Sequence, residues 1–129
     1  FTFLKVQNKP TGTSLVDEAL MPECRKIIDL ADKHSKRLMF PVDFLVSKGG
    51  LAGPYFLKNA DQLGDRDYGV AIGPKTQAHY ESIIKKSHTC VYNGLMGDIS
   101  IPESLEPARK IFSAMAQSRA YTVIAGGDS

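Results

Sequence analysis

The hydrophobic pattern is most distinct in residues 121–125, where apolar and β-branched residues follow one another without alternation. Such a run is typical of a strand covered on both faces. The chain then continues into Gly126, Gly127, Asp128 and Ser129. Glycine lets backbone N–H groups approach an anion closely, and Asp and Ser often begin helices. The pattern therefore predicts a strand that carries a phosphate-binding loop, and the alternative interpretation is an ordinary strand-to-helix turn.

Apolar residues at helical spacing predict three helices upstream of that strand. They cover residues 16–35, residues 74–86 and a stretch around residues 105–115 that begins at Ser100 or Ser104. Residues 1–6 are also apolar, and their period alone fits either a strand or the tail of a helix.

Short apolar runs predict strands at residues 37–40, 68–72 and 88–92. Pro41 is expected to end the first of these strands, because proline cannot donate a hydrogen bond to a sheet. Residues 47–67 are rich in Gly, Pro, Asn and Asp, so they predict a long loop or a small irregular hairpin.

Alternating strands and helices predict an α/β fold, with a parallel sheet between helices on both of its faces. Such sheets bind ligands at the carboxyl ends of their strands. Residues 73–74, 93–98 and 125–129 occupy that position, and the last two turns are rich in glycine and polar residues. They favour a nucleotide or phosphate site. Neither turn matches the dinucleotide fingerprint or the P-loop, which argues against a dehydrogenase or a P-loop enzyme.

The composition favours a soluble globular domain over a nucleic-acid-binding or membrane-spanning protein. The 129 residues are 43% hydrophobic and 23% charged, as in one soluble globular domain. A net charge of +2 with interspersed signs gives no nucleic-acid-binding stripe, and no apolar run is long enough to cross a membrane. A cytoplasmic protein with reduced, packing cysteines at Cys24 and Cys90 is expected. The chain lacks an initial Met, begins on an apolar stretch and finishes where a helix should begin, so we expect a fragment that is incomplete at both ends.

Several isolated residues have a structural interpretation beside a functional one. Asp43 could face a cleft or cap a loop. The pair at residues 55–56 could touch an adenine ring or pack in the core. Asp65, Arg66 and Asp67 are expected to form a solvated turn. The three histidines have no metal-ligand spacing, and we interpret them as surface or packing residues.

An ordered set of short motifs, spread along nearly the whole chain, resembles the carboxyl-terminal, nucleotide-binding domain of phosphoglycerate kinase. The motifs are Phe-Thr-Phe-Leu-Lys at residues 1–5, Gly-Thr-Ser-Leu at 12–15 with Asp-Glu at 17–18, Pro-Val-Asp-Phe at 41–44, Gly-Pro at 73–74, Tyr-Asn-Gly at 92–94 and Gly-Gly-Asp-Ser at 126–129. The resemblance implies a Rossmann-like, three-layer parallel sheet, with residues 1–129 forming part of that domain. It also implies that residues 1–6 are helical.

The resemblance further implies reversible phosphoryl transfer in glycolysis, from 1,3-bisphosphoglycerate to Mg-ADP. Mg²⁺ and ADP or ATP would bind here, and 3-phosphoglycerate would bind to the amino-terminal domain, which this sequence lacks. The complete protein is expected to be a monomer. This chain alone is not expected to complete the reaction, because the family's catalytic arginine and upstream lysine are absent from it.

The resemblance assigns site residues position by position. Gly126 and Gly127 fall on the catalytic phosphate loop, and Asp128 falls on the metal side of that loop. The remaining nucleotide-binding positions are Leu15, Gly69, Val70, Asn93, Gly94, Gly97, Ser100 and Ser129.

Departures from the family pattern lie in the turn after Asn93 and Gly94. Leu95, Met96, Asp98 and Ile99 differ from it, and Ser100 replaces the Glu expected to bind ribose hydroxyls. Asp98 adds a carboxylate that could reach the ribose or repel phosphate. The alternative function is therefore a degenerate domain with a structural or protein-interaction role.

Overall fold

The computed structural model describes residues 1–127, so Asp128 and Ser129 lie outside the described residues. The α-helices are α1 (Thr2–Val6), α2 (Met21–Lys33), α3 (Pro74–Ile84) and α4 (Glu106–Gln117). The strands are β1 (Asp43–Lys48), β2 (Phe56–Asn59), β3 (Asp67–Ile72), β4 (Thr89–Asn93) and β5 (Tyr121–Ala125). Short 3₁₀ helices cover Glu18–Leu20, Ala60–Gln62 and Pro102–Leu105.

The α/β class predicted from the sequence is confirmed. β4 and β5 pair in parallel and are connected through α4, which is the expected strand-helix-strand unit. β1, β2 and β3 form a second, antiparallel sheet in the order β2-β1-β3. The connection from β1 to β2 is too short to hold a crossover helix, so antiparallel pairing is the arrangement open to these two strands. The fold is therefore mixed, with parallel and antiparallel strands.

Two element predictions need correction or resolution. The strand predicted at residues 37–40 is wrong, because the strand begins two residues after Pro41, where Asp43 pairs with Asn59. Of the two possibilities for residues 47–67, the hairpin is found, since β2 pairs with β1. The helix implied for residues 1–6 is present as α1.

Each sheet has its own core. Leu4, Phe44, Val46, Ala60 and Leu63 are buried around β1. A second buried cluster joins α3 and α4 to β4 and consists of Ile84, Tyr92, Ile111, Ala114 and Met115. No helix among residues 1–127 has the length and hydropathy that a membrane span requires.

Asp43 fixes the start of α3 from a neighbouring strand. Its carboxylate accepts the backbone N–H groups of Lys75 (2.9 Å) and Thr76 (2.8 Å), and the Thr76 hydroxyl lies 2.6 Å from it. A side chain at Gly73 would meet this carboxylate, since a Cβ there would lie 2.4 Å from it. Of the two interpretations of Asp43, capping is the one found.

Asp67 is buried, and the prediction that residues 65–67 form a solvated turn is wrong for it. Its carboxylate lies 2.5 Å from Lys58 Nζ and 2.9 Å from Lys48 Nζ, and it accepts the Gly64 N–H at 2.7 Å. Burial opposes ionisation, but the bonds from Lys58, Gly64 and Lys48 outweigh it and hold the Asp67 pKa well below its usual range. These ion pairs connect all three strands of the antiparallel sheet.

Candidate functional site

The parallel register of β4 and β5 brings two of the predicted ligand turns together. Asn93 pairs with Ala125 at the carboxyl ends of the strands, so the turns that follow emerge side by side. Gly94 and Gly126 have φ values of +81° and +109°, which disfavour residues with a Cβ. The two turns enclose a cavity of about 320 Å³, which we call the glycine cavity; it is lined by Gly94, Leu95, Gly97, Asp98, Ile99, Gly126 and Gly127.

A second cavity of about 290 Å³ lies against β3 and is called the β3 cavity. Apolar side chains and the β3 backbone make up most of its wall. It is lined by Phe1, Phe44, Leu51, Leu95, Met96, Gly97, Asp98 and the five residues of β3 from Tyr68 to Ile72. Leu95, Gly97 and Asp98 line both cavities, so the two cavities adjoin at these residues.

Gly69 lines the β3 cavity, and its lack of a side chain lets the Phe1 ring pack against β3. A Cβ at Gly69 would lie 2.0 Å from the Phe1 ring, and the Gly69 N–H donates to the Ser14 hydroxyl at 2.9 Å. The neighbouring Val70 is buried in the same wall. Phe1, Gly69 and Val70 therefore form adjoining parts of one cavity wall.

The turn between the cavities is held by Ser104, which is fully buried. Its hydroxyl accepts the Asp98 N–H at 2.8 Å and lies 2.8 Å from the carbonyl oxygens of Asp98 and Ile101. A Cβ at Gly97 would lie 2.1 Å from the Ser104 carbonyl oxygen. Gly97 is therefore required for the close approach of this turn to residue 104.

The Asp98 carboxylate is ordered by Ser100. Its Oδ1 accepts the Ser100 hydroxyl at 2.5 Å and the Ser100 N–H at 2.8 Å. These two bonds, the hydroxyl bond first, lower the Asp98 pKa below its usual value, so the group is ionised at neutral pH. Ser100 itself is exposed and lines neither cavity.

The remaining residues assigned from the sequence lie in different places. Leu15 follows Ser14 and is 78% exposed, outside the lining of both cavities. Asn93 ends β4 and also lies outside them. Asp128 and Ser129, with the proposed metal contact, fall outside the described residues. Gly73 and its turn contact Asp43 instead of the cavities.

Leu51 is a cavity residue that the sequence analysis missed. It lies in the β1–β2 connection, where the Tyr55 hydroxyl donates to its carbonyl oxygen at 2.9 Å. The only sequence signal is a large apolar residue within a stretch rich in glycine. Tyr55 and Phe56, which the sequence suggested as adenine contacts or core residues, line neither cavity, and Phe56 is 44% exposed.

A metal ion bound to this part of the chain would need further ligands, such as water or phosphate oxygens. Residues 1–127 contain no cluster of three or more His, Cys, Asp or Glu side chains arranged to hold an ion. Mg²⁺ commonly combines one or two carboxylates with substrate phosphates, so a single Asp on the glycine turn is compatible with it.

Comparison with known proteins gives a consistent result along the whole chain. The family model for phosphoglycerate kinase matches residues 1–129. The chain is 34% identical to the phosphoglycerate kinase of Tropheryma whipplei (strain Twist) over 129 residues, which is 100% of this chain and 32% of that protein. It is 35% identical to the enzyme of that name from Dictyoglomus turgidum over 131 residues, or 33% of that protein. The chain thus spans about a third of these relatives.

Solved structures agree with the sequence comparisons. Phosphoglycerate kinase from Coxiella burnetii superposes on 98% of this chain with a TM-score of 0.91 and 29% identity, covering 33% of that structure. The Pyrococcus horikoshii enzyme superposes on 99% of this chain with a TM-score of 0.77, covering 33% of that structure. Its 22% identity makes it evidence for the fold alone.

Proposed function

The chain belongs to the phosphoglycerate kinase family, and we propose that it is the nucleotide-binding part of such an enzyme. The reaction is reversible transfer of a phosphoryl group from 1,3-bisphosphoglycerate to ADP, giving 3-phosphoglycerate and ATP. Residues 1–129 form part of the carboxyl-terminal domain. The rest of a protein about three times as long supplies the acyl-phosphate site, and the complete enzyme works as a cytoplasmic monomer in glycolysis.

The observation that carries this proposal is the junction of the two cavities. One cavity is lined by several apolar side chains beside the residues of β3, and the other has glycine turns with open space beside them. A Cβ at Gly94 or Gly127 would have no atom within 4 Å. A nucleotide has an apolar base at one end and phosphates at the other, so its two ends match the two cavities.

The residues assigned from the sequence take these roles. Gly69 and Val70 contact the base, with Leu15 at its outer edge. Asn93, Gly94, Gly97 and Ser100 lie beside the sugar and the first phosphates. Gly126, Gly127 and Ser129 hold the phosphates by backbone and hydroxyl groups, and Asp128 would hold Mg²⁺.

Catalysis in this proposal is mainly positioning. Mg²⁺ would neutralise charge on the nucleotide phosphates when bound. The turn held by Ser104 keeps backbone groups in place before ligand arrives, so little ordering is needed on binding. The apolar side chains that line the β3 cavity would contact the base.

A degenerate domain with a structural or protein-interaction role is the second candidate. The observation that favours it is Ser100, which stands where the family has Glu and whose hydroxyl already donates to Asp98. A site without the sugar-binding Glu could have lost its nucleotide.

Calorimetric titration of Mg-ADP into the longest native form of the protein separates the two candidates. We expect a Kd in the micromolar to sub-millimolar range and a weaker value for Asp128→Ala. Asp65→Ala is a matched control, because Asp65 is exposed and lines neither cavity. Absence of binding heat from folded protein would refute the nucleotide role and favour the structural one.

A further inference from the structure

Asp98 lies at the point where the two cavities meet. It lines both of them, together with Leu95 and Gly97, and it alone of the three carries a polar side chain. An ionised carboxylate in this position would contact whichever part of a bound ligand connects its two ends.

The Asp98 side chain is ordered before any ligand binds. Its backbone N–H donates to Ser104, and its Oδ1 accepts both the hydroxyl and the N–H of Ser100. Within residues 1–127 the hydrogen bonds to this carboxylate all reach Oδ1, which leaves Oδ2 as an acceptor for a ligand. Because its position is fixed, little side-chain entropy is lost when a donor reaches it.

The chemistry of the ligand follows from this arrangement. With the base in the β3 cavity and the phosphates in the glycine cavity, the group beside Asp98 is the sugar. A carboxylate oxygen accepts strong hydrogen bonds from hydroxyl groups, whereas it repels phosphate oxygens. Asp98 therefore matches a sugar hydroxyl and keeps the phosphates on the side of the glycine turns.

We propose that Asp98 is a specificity-determining residue that accepts a hydrogen bond from a ribose hydroxyl, so that ribonucleotides are preferred over deoxyribonucleotides. The inference rests on the proposed nucleotide-binding function. Ser100 is a positioning residue in this scheme, because it acts on the ligand only by holding Asp98. The Glu that the family resemblance leads one to expect at position 100 is thereby replaced by a pair of residues, Asp98 and Ser100.

The test compares Mg-ADP with Mg-2′-deoxy-ADP and Mg-3′-deoxy-ADP by calorimetry, using the longest native form of the protein. We expect at least one deoxy nucleotide to bind about tenfold more weakly than ADP, which is the loss typical of a hydrogen bond to a charged group. Asp98→Ala should weaken ADP binding by about the same factor and remove the preference. Ser100→Ala should reduce the preference in part.

Two further variants separate the effect of the Asp98 charge from effects on folding. Asp98→Asn keeps a side-chain oxygen that can accept hydrogen bonds from Ser100. It therefore tests the loss of charge even if Asp98→Ala fails to fold. Asp17→Ala is the control, because the Asp17 carboxylate accepts the Ala19 N–H at 3.1 Å in a similar turn that is exposed and outside both cavities. Its nucleotide preference should equal that of the wild type.

The outcomes separate this inference from the function on which it rests. Asp98 does not contact the sugar if wild-type protein binds ADP and the deoxy nucleotides equally well, or if Asp98→Ala keeps the preference for ADP. Either result would leave the proposed nucleotide-binding function intact. Tighter ADP binding by Asp98→Ala or Asp98→Asn would mean that the carboxylate repels phosphate, which also overturns the inference. If the wild type binds no nucleotide, both proposals fail.

Discussion

At the scale of single residues, the buried Asp67 is expected to make a large contribution to stability. Replacing it by Asn leaves Lys48 and Lys58 without a charged partner and weakens the bond from Gly64. We expect Asp67→Asn to lower the free energy of unfolding by about 2 kcal/mol, because the lysines are partly exposed and can recover some hydration. Urea unfolding measures this value, and exposed Asp65→Asn should change it by less than about 0.5 kcal/mol.

The same residue predicts a dependence of stability on pH. The Asp67 pKa is lower in the folded protein than in the unfolded chain, so the folded state binds fewer protons and stability rises with pH. This contribution is complete above about pH 4, the ordinary Asp pKa, and is lost as the pH falls towards the folded pKa. Unfolding measured between pH 7 and pH 2.5 should show less acid loss in Asp67→Asn than in wild type. Equal acid losses would contradict the assignment.

Gly97 gives a residue-scale prediction for the site. A Cβ there would lie 2.1 Å from the Ser104 carbonyl oxygen, which belongs to the backbone and cannot move freely. Gly97→Ala should therefore displace the turn that both cavities share and weaken Mg-ADP binding about tenfold. Calorimetry on folded protein measures this loss, and unchanged affinity would show that the turn does not form the site.

Asp67 also shows what the sequence could not reveal. Its partners Lys48 and Lys58 lie 19 and 9 positions away, on strands whose pairing no local pattern specifies. Its neighbours Asp65 and Arg66 are exposed, as a polar turn predicts. Asp98 was recognised as an added carboxylate, but its bond to Ser100 required the geometry of the turn.

At the scale of elements, the three longer helices α2, α3 and α4 were predictable because each has an apolar stripe and a proline near its start. α3 begins at Pro74, and Pro22 and Pro107 lie in the first turns of α2 and α4. The positions of the strands were harder to predict. The apolar run before Pro41 has the composition of a strand, but the hydrogen-bonding partners of this region begin at Asp43. The start of β1 was therefore set by its pairing with another strand and not by the local composition.

The cap of α3 is a prediction at this scale. Asp43→Ala removes the acceptor for Lys75 and Thr76 and leaves their N–H groups partly buried. We expect a loss of about 2 kcal/mol in the free energy of unfolding, at the upper end for helix caps, and faster amide exchange at the start of α3. Asp29→Ala on the exposed face of α2 is the control and should be nearly neutral. Unchanged exchange at Lys75 and Thr76 would contradict the capping role.

At the scale of the whole molecule, the candidate site lies where the two sheets approach one another. β3 from the antiparallel sheet supplies one wall of the site, and the turns that follow the parallel strands β4 and β5 supply the glycines. The sequence predicted the meeting of the last two turns from the rule for parallel strands. It offered a hairpin for residues 47–67 only as an alternative to a loop, and it did not predict that β3 pairs with β1 in the same antiparallel sheet. The position of Leu51 depends on the connection between β1 and β2.

The most direct test of the account is amide hydrogen exchange of the longest native form, with and without saturating Mg-ADP. We expect slower exchange at residues 68–70, 94–98 and 126–127, with no change at the start of α3. Protection of all three segments would place one ligand across both cavities. Exchange that stays unchanged there, or slows only around residues 74–77, would contradict a nucleotide site at the junction of the two sheets.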